Sequence, residues 1–97
     1  MTEKQIEQAF VRQVTKCGGL CPKWVSPGWD GVPDRICLLR DGKIGFVEVK
    51  RKGQRPRRLQ VIRHKQLRKL GFKVFVLDDL ADIPAIIDEI EGDTTYE

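Results

Sequence analysis

The chain has 97 residues, of which 18 are Lys or Arg, 14 are Asp or Glu and one is His. A chain of about 100 residues forms one compact domain with one core, and 40% hydrophobic with 33% charged residues is typical of a folded globular protein. The apolar runs are far shorter than the roughly 20 residues that span a membrane, and the polar N-terminus does not resemble a signal peptide. We therefore expect a cytoplasmic protein that is neither secreted nor inserted in a membrane.

Cysteine usage excludes two kinds of small fold. Cys17, Cys21 and Cys37 are an odd number, so they cannot form a complete disulfide framework, and without an export signal we expect reduced thiols. A structural zinc site usually needs four Cys or His ligands at close spacing. Three Cys without a C-x-x-C pair, plus the single His64, do not provide one.

Charge is strongly segregated along the chain. Residues 50–73 contain eleven Lys or Arg and no acid, whereas residues 78–97 contain eight acids and no Lys or Arg. A clustered basic segment favours binding to a phosphate backbone, because it releases condensed counterions. The alternative is an ordinary solvated helix face.

The first third of the chain predicts a helix, a short strand and a loop. Thr2-x-x-Gln5 is a capping-box pattern, and apolar residues recur at helical spacing from Ile6 to Cys17, before two glycines end the helix. Segment 20–25 is predicted as a strand, at an edge position because it contains Pro22. Segment 26–33 is rich in Pro and Gly and is predicted as a loop.

The remainder predicts a hairpin, a helix, a strand and a last helix. The hairpin strands are Ile36–Leu39 and Lys43–Lys50, and a further strand is Phe72–Leu77. Between them, a helix from Pro56 to Leu70 ends at Gly71, with an inward face of Leu59, Ile62, Leu67 and Leu70. The last helix begins at Asp82-Ile83-Pro84 and carries Ile83, Ile86, Ile87 and Ile90. The order α-β-β-β-α-β-α predicts one α/β domain over residues 1–97, with a mixed central sheet flanked by helices, a core over about 3–91 and a polar tail at 92–97.

One constellation predicts chemistry. Pro33-Asp34, followed after the hairpin by Glu48-Val49-Lys50, matches the pattern PD-(D/E)-x-K. Cleavage of a phosphodiester needs a hard divalent cation, for which Asp34, Glu48 and the Val49 carbonyl are suitable oxygen ligands. Lys50 lies two residues after Glu48, so it shares a strand face with it and could hold the attacking water. The alternative is an exposed strand face with an ion pair.

The register of the hairpin decides whether the two carboxylates meet. A two-residue turn would place Asp34 opposite Val49 and direct it away from Glu48. A three-residue loop, Arg40–Gly42, with Gly42 left-handed in a bulge, pairs Leu39 with Lys43 and Asp34 with Glu48. We predict the three-residue loop.

Three further side chains are candidates. Glu7 lies at the edge of the first helix's apolar stripe and could lean toward the metal, with Glu3 as a rival one turn earlier. Gln60 could bind the water or a phosphate oxygen. His64 lies four residues later on the same helix face and could contact substrate. The alternatives are that Glu7 is an ordinary surface glutamate, that Gln60 is a solvated amide and that His64 lies at the surface. For His64 we expect the surface position.

These residues in this order resemble the VRR-NUC (virus-type replication-repair nuclease) family of the restriction-endonuclease-like superfamily. The similarity runs from about Glu3 to Leu77 and includes Gly28–Arg35, Phe46–Lys50 and Arg55-Pro56. The resemblance implies a catalytic centre that depends on Mg²⁺ or Mn²⁺. Its members would be Glu7, Asp34, Glu48, Lys50 and the Val49 carbonyl, with Gln60 as the helix glutamine of the family.

The resemblance also implies a function. Short stand-alone members are similar to Holliday-junction resolvases and form homodimers, so we expect a structure-selective DNA endonuclease that resolves four-way junctions in a bacterial or phage-infected cell. The alternatives are a monomeric flap endonuclease or nickase, and a nucleic-acid-binding module without catalysis. The expected phosphate contacts near the site are Arg51, Lys52, Arg55, Arg57 and Arg58. Trp24 is expected in the core or a dimer contact, and the role of Trp29 is open.

Overall fold

The order of the elements agrees with the sequence prediction, apart from one strand. The computed structural model describes residues 1–92, so most of the predicted polar tail, residues 93–97, lies outside the described residues. The helices are α1 (Glu3–Lys16), α2 (Arg58–Lys69) and α3 (Ile83–Glu91), and the strands are β1 (Arg35–Leu39), β2 (Lys43–Val49) and β3 (Lys73–Leu77). Short 3₁₀ turns cover Arg40–Gly42 and Leu80–Asp82. None of the described helices is long and apolar enough to cross a membrane.

The three strands form one mixed sheet in the order β1-β2-β3. Strands β1 and β2 are antiparallel and are joined by the hairpin. Strands β2 and β3 are parallel, and α2 makes the crossover that a parallel pair requires. The predicted α/β fold with a mixed sheet is therefore confirmed.

The hairpin has the predicted three-residue loop. Leu39 pairs with Lys43, and Gly42 has a left-handed φ of 71°. Asp41 is also left-handed, with φ 63° and ψ 28°, a feature beyond the predicted left-handed Gly42. Aspartate tolerates this region better than most residues because its short polar side chain bonds locally.

The predicted strand at 20–25 was wrong. In place of a strand, this segment has two isolated bridges, Leu20 with Leu38 and Lys23 with Arg35. Pro22 lies between them, and its carbonyl accepts a hydrogen bond from Ile36 N–H at 2.9 Å. Because proline has no N–H, the return bond of that pair cannot form, and the ladder is interrupted.

The main core lies on the face of the sheet that α1 and α3 cover. The buried apolar residues of α3 are the four predicted isoleucines, and α1 contributes Ile6, Phe10 and Val14. Val47 and Val49 of β2 belong to this core. Because side chains alternate along a strand, Phe46 and Glu48, which precede Val47 and Val49, point to the opposite face, against α2.

Helix α2 is rotated relative to the prediction. It begins at Arg58, two residues after the predicted start. Leu59, Ile62 and Leu70 were expected to face inward, but they are 41%, 42% and 76% exposed. The buried residues are instead Gln60, His64 and Leu67. A helix turned to bury Leu59 and Ile62 would leave the buried carboxylate of Glu48 without a donor, which is costly.

Candidate functional site

Asp34 directly precedes β1, and its position relative to Glu48 follows from the register of the hairpin. The ladder ends at the pair Arg35 with Val47, and continuing it by one step would place Asp34 against Glu48, on the face toward α2. The Asp34 carboxylate is fixed there, because its Oδ2 accepts a hydrogen bond from Val49 N–H at 2.7 Å. The odd loop therefore gives the carboxylates a common side, as the register argument requires.

The Asp34 carboxyl holds its proton unusually strongly. Burial raises the pKa of Asp34 from 3.8 to about 6, against the opposing effect of the Val49 hydrogen bond, and the negative charges of Glu48, Glu7 and Glu3 raise it further. Several acids thus act on one half-buried carboxyl. A bound cation would reverse this repulsion, because an opposite charge favours the ionised form.

Glu48 is the centre of the site. Its side chain is 1% exposed, and its Oε2 accepts a hydrogen bond from Gln60 Nε2 at 2.7 Å. Lys50 Nζ lies 3.5 Å from the same oxygen. The other oxygen, Oε1, is buried without a hydrogen-bond partner. The alternative of an exposed strand face is thus excluded for Glu48.

Lys50 lies at the end of β2, on the same face as Glu48. Its side chain is 14% exposed, so the ammonium group is largely withdrawn from solvent. Its backbone N–H donates to the Leu77 carbonyl at 2.9 Å, which ties this residue to the end of β3. The predicted proximity of Glu48 and Lys50 is therefore present in the structure.

Gln60 joins the start of α2 to Glu48. Its Oε1 accepts a hydrogen bond from Arg57 N–H at 2.8 Å, which satisfies a donor at the helix N-terminus. Its Nε2 is the group that donates to Glu48. Gln60 is buried, so the alternative of a solvated amide is wrong.

His64 is also buried, and its expected surface position was wrong. Its side chain is 2% exposed, and its Nε2 lies 3.8 Å from Glu48 Oε1. The cause is the rotation of α2, which places Gln60 and His64, four residues apart, on the helix face toward the sheet. The sequence contained the signal, a Gln and a His at helical spacing, but did not show which face was buried.

Glu7 is paired with Arg35. Its Oε2 accepts a hydrogen bond from Arg35 Nε at 2.7 Å, and Arg35 also donates to the Cys21 carbonyl at 2.9 Å. Glu7 acts on the pKa of Asp34, but its own carboxylate is paired with Arg35. Arg35 is a partner that the sequence pattern does not indicate, although it directly follows Asp34.

The donors fit a hard divalent cation in kind. The carboxylates of Asp34 and Glu48 and the backbone carbonyl of Val49 could serve as ligands, because oxygen donors of this kind suit Mg²⁺ and Mn²⁺. Within residues 1–92, however, no three His, Cys, Asp or Glu side chains form a group that could hold a metal ion. Carboxylate coordination would therefore come from Asp34 and Glu48, unless Glu7 leaves Arg35.

The expected phosphate contacts are at the surface. Arg51, Lys52, Arg55, Arg57 and Arg58 are all exposed. Lys52 is paired with Asp79, and the Gly53 N–H donates to Asp78 Oδ2 at 3.3 Å. The loop after β2 is thus attached to the acidic residues that follow β3, and one of its cations is already paired.

The two tryptophans belong to the smaller apolar cluster under α2. Trp24 lies 4.8 Å from Phe46 and 6.1 Å from Trp29, measured between ring centroids. The guanidinium of Arg63 lies over Trp29, 4.8 Å from the ring centroid. Both rings are partly buried. Trp24 was expected either in the core or in a dimer contact, and the structure packs it against the core.

Comparison with known proteins gives two informative similarities. No family model matches the sequence. A protein of Acyrthosiphon pisum secondary endosymbiont phage 1, named "Putative nuclease p44", is 48% identical over 87% of this chain and 94% of its own length. A solved structure described as "VRR_NUC domain" is 30% identical and superposes with a TM-score of 0.84, covering 91% of this chain and 97% of its own.

Proposed function

Because this chain belongs to the VRR-NUC family of nucleases, we propose that it is an endonuclease that hydrolyses DNA phosphodiesters with Mg²⁺ or Mn²⁺. The observation that carries the proposal is the buried carboxylate of Glu48, whose Oε2 lies 3.5 Å from Lys50 Nζ and whose negative charge raises the pKa of Asp34. Two neighbouring acids repel each other unless an opposite charge acts on both. A hard cation held by Asp34 and Glu48, next to the Lys50 ammonium group, would supply that charge.

Two of the proposed ligands are held by hydrogen bonds in the fold. Asp34 and Glu48 provide the carboxylate oxygens and Val49 the carbonyl. When bound, a divalent cation polarises a phosphoryl oxygen and lowers the pKa of a water. Val49 N–H orients Asp34, and Gln60 orients Glu48. These two hydrogen bonds support the proposal, because they orient both carboxylates.

Lys50 supplies the positive charge. Its ammonium group is close to Glu48 and shielded from solvent, so its charge acts in a medium of low dielectric constant, where it stabilises a developing anion more strongly than in water. Lys50 would hold the attacking water and offset the extra negative charge on the phosphorus oxygens. Lys50 is thus the catalytic residue whose removal should affect cleavage more than binding.

The preferred substrate we propose is a branched DNA, in particular a four-way junction, cut by a homodimer in the cytoplasm of a bacterial or phage-infected cell. A two-fold dimer presents two equivalent sites to two strands, as symmetric nicking of a junction requires. The support for this step is the resemblance to stand-alone members of the family. A monomeric flap endonuclease or nickase would use the same site on another substrate.

The exposed basic residues around the site would contact phosphates. Contacts of this kind position the duplex without reading its sequence, which suits an enzyme selective for DNA shape. Lys52 is the member whose contribution we expect to be reduced, because Asp79 already neutralises it.

A cleavage assay tests the proposal. Four-way junction, flap, nicked and linear duplex DNA are incubated with the wild type, Asp34→Ala and Lys50→Ala in Mg²⁺, Mn²⁺ or EDTA, and the mass in solution is measured. We expect metal-dependent cleavage, strongest on the junction, and two variants that bind DNA without cutting it. Lys65→Ala, an exposed lysine of α2, is the matched control and should cut normally.

The other outcomes separate the alternatives. A monomer that prefers flaps or nicks would replace junction resolution with the second activity. Equal activity in the wild type, Asp34→Ala and Lys50→Ala would show that the catalytic assignment is wrong. Tight DNA binding with no cleavage under any metal would favour a binding module.

A further inference from the structure

Two buried polar atoms face each other behind the proposed active site. Among the side chains of residues 1–92, Glu48 Oε1 and His64 Nε2 are the two buried nitrogen or oxygen atoms without a hydrogen-bond partner. They are 3.8 Å apart, in side chains that are 1% and 2% exposed. This separation is too long for a hydrogen bond, but a shift of about 1 Å would make one. Partnerless buried groups are rare and call for an explanation.

His64 is placed on the same helix face as the group that holds the other oxygen. Gln60, four residues earlier on α2, donates to Glu48 Oε2. Helix α2 therefore directs one nitrogen toward each oxygen of the same carboxylate. An ionised carboxylate has about four lone-pair sites, so each oxygen can accept a side-chain donor and still bind a cation.

We propose that His64 is a positioning residue for Glu48. Its Nε2 carries a proton and donates it in a hydrogen bond to Glu48 Oε1, so that Gln60 and His64 together fix the rotation of the carboxylate. The remaining lone pairs then face the site shared with Asp34. This inference rests on the proposed function, in which Glu48 is a ligand of the cation.

The protonated nitrogen of His64 can be observed directly. His64 is the one histidine of the chain, so the imidazole nitrogen signals of ¹⁵N-labelled protein without a histidine tag need no assignment. We expect a proton on Nε2. A proton on Nδ1 alone would place a bare nitrogen against Glu48 Oε1 and would overturn the proposal.

Manganese affinity tests the positioning itself. In His64→Gln the side-chain amide nitrogen replaces Nε2 as a donor, whereas His64→Leu removes the donor and leaves an apolar group. Loss of a residue that hydrogen-bonds a metal-ligating side chain typically lowers metal affinity about 10–100-fold. We therefore expect that much weaker Mn²⁺ binding in His64→Leu, measured by titration with electron paramagnetic resonance, and near wild-type binding in His64→Gln.

Rescue by the conservative variant separates positioning from a packing role. Because His64→Leu removes the donor to Glu48 Oε1 and leaves that buried oxygen without a partner, its free energy of unfolding should fall, and His64→Gln should restore both the stability and the Mn²⁺ affinity. Unchanged Mn²⁺ affinity in His64→Leu, with binding lost in Glu48→Gln, would overturn the role of His64 and leave the proposed function intact. Absence of Mn²⁺ binding in the wild type would instead contradict the proposed function. If His64→Leu does not fold, His64→Asn, which is too short to reach Oε1, takes its place.

Discussion

Glu7 Oε2 accepts a hydrogen bond from Arg35 Nε at 2.7 Å, so that α1 is linked to the residue directly after Asp34. Both side chains are partly shielded, at 17% and 21% exposure. Arg35 thus balances the negative charge of Glu7 without a metal ion. Glu7 is therefore first a partner of Arg35, and its predicted role as a metal ligand requires that this contact open.

The Glu7–Arg35 contact should be measurable as a coupling energy. In a double-mutant cycle with Glu7→Gln and Arg35→Met, we expect the free energies of unfolding to be non-additive by about 1 kcal/mol, because the pair is charge-assisted and only partly solvated. Urea denaturation gives the four values. The exposed pair Lys52–Asp79 is the control and should show weaker coupling. Additive effects of Glu7→Gln and Arg35→Met would contradict the structural role of the contact.

Asp34 should make the metal-free protein less stable as the pH rises. Its pKa is raised from 3.8 to about 6, so folding favours its protonated form; the resulting stabilisation is complete below pH 4 and is lost as the pH passes through 6. The shift corresponds to about 3 kcal/mol, which solvent screening of a half-buried carboxyl reduces to roughly 1–2 kcal/mol. Asp34→Asn cannot ionise and avoids this loss.

Urea unfolding in EDTA at pH 4.5 and pH 8 checks this expectation. The stability of Asp34→Asn relative to the wild type should be greater at pH 8 by roughly 1–2 kcal/mol. Addition of Mn²⁺ at pH 8 should stabilise the wild type and not Asp34→Asn, because ligand binding to the folded state raises stability. If the difference in free energy of unfolding between Asp34→Asn and the wild type did not change with pH, folding would not raise the pKa of Asp34.

Gln60→Ala should destabilise the protein. It removes the donor to Glu48 and the acceptor of Arg57 N–H, and it leaves the buried Glu48 Oε2 with Lys50 Nζ, 3.5 Å away, as its neighbouring donor group. Such a loss costs about 1–3 kcal/mol. Gln66→Ala, at an exposed position of the same helix, should change the free energy of unfolding by less than about 0.5 kcal/mol. Equal effects in urea denaturation would mean that the buried amide contributes nothing.

The basic residues of the loop after β2 should contribute unequally to DNA binding. Loss of one phosphate contact lowers the slope of log K against log salt concentration by about 1. We expect that change for Arg51→Ala and a smaller one for Lys52→Ala, because Asp79 holds Lys52. Asp79→Ala should release Lys52 and strengthen binding. Titrations of a fluorescent duplex at several salt concentrations would refute this if Lys52→Ala weakened binding as much as Arg51→Ala.

The hairpin and the last helix could be predicted from the sequence because local rules determine them. Side chains alternate along a strand, so loop length alone decides whether Asp34 and Glu48 share a face. The isoleucines of α3 follow the helical period over the whole helix, and all four are buried. In both cases the information lies within a few residues of the feature.

The segment at 20–25 and the rotation of α2 could not be predicted in this way. Pro22 was recognised as an edge residue, but the structure shows that its missing N–H interrupts the ladder. Helix α2 is rich in Lys and Arg and has few apolar residues, so its pattern does not define one buried face. Leu59 and Ile62 were assigned inward on that weak pattern and are exposed.

The sequence by itself determined the donor types of the site, the parity that brings Asp34 to Glu48, and the separation of a basic middle from an acidic end. Tertiary structure decided which face of α2 is buried, and therefore that Gln60 and His64 lie against Glu48. It also decided that Arg35 pairs with Glu7. The physical reason is one of range. Alternation and capping act between near neighbours, whereas the buried carboxylate of Glu48 accepts a hydrogen bond from a helix residue 12 positions later in the chain, and this long-range requirement favours the observed rotation of the helix.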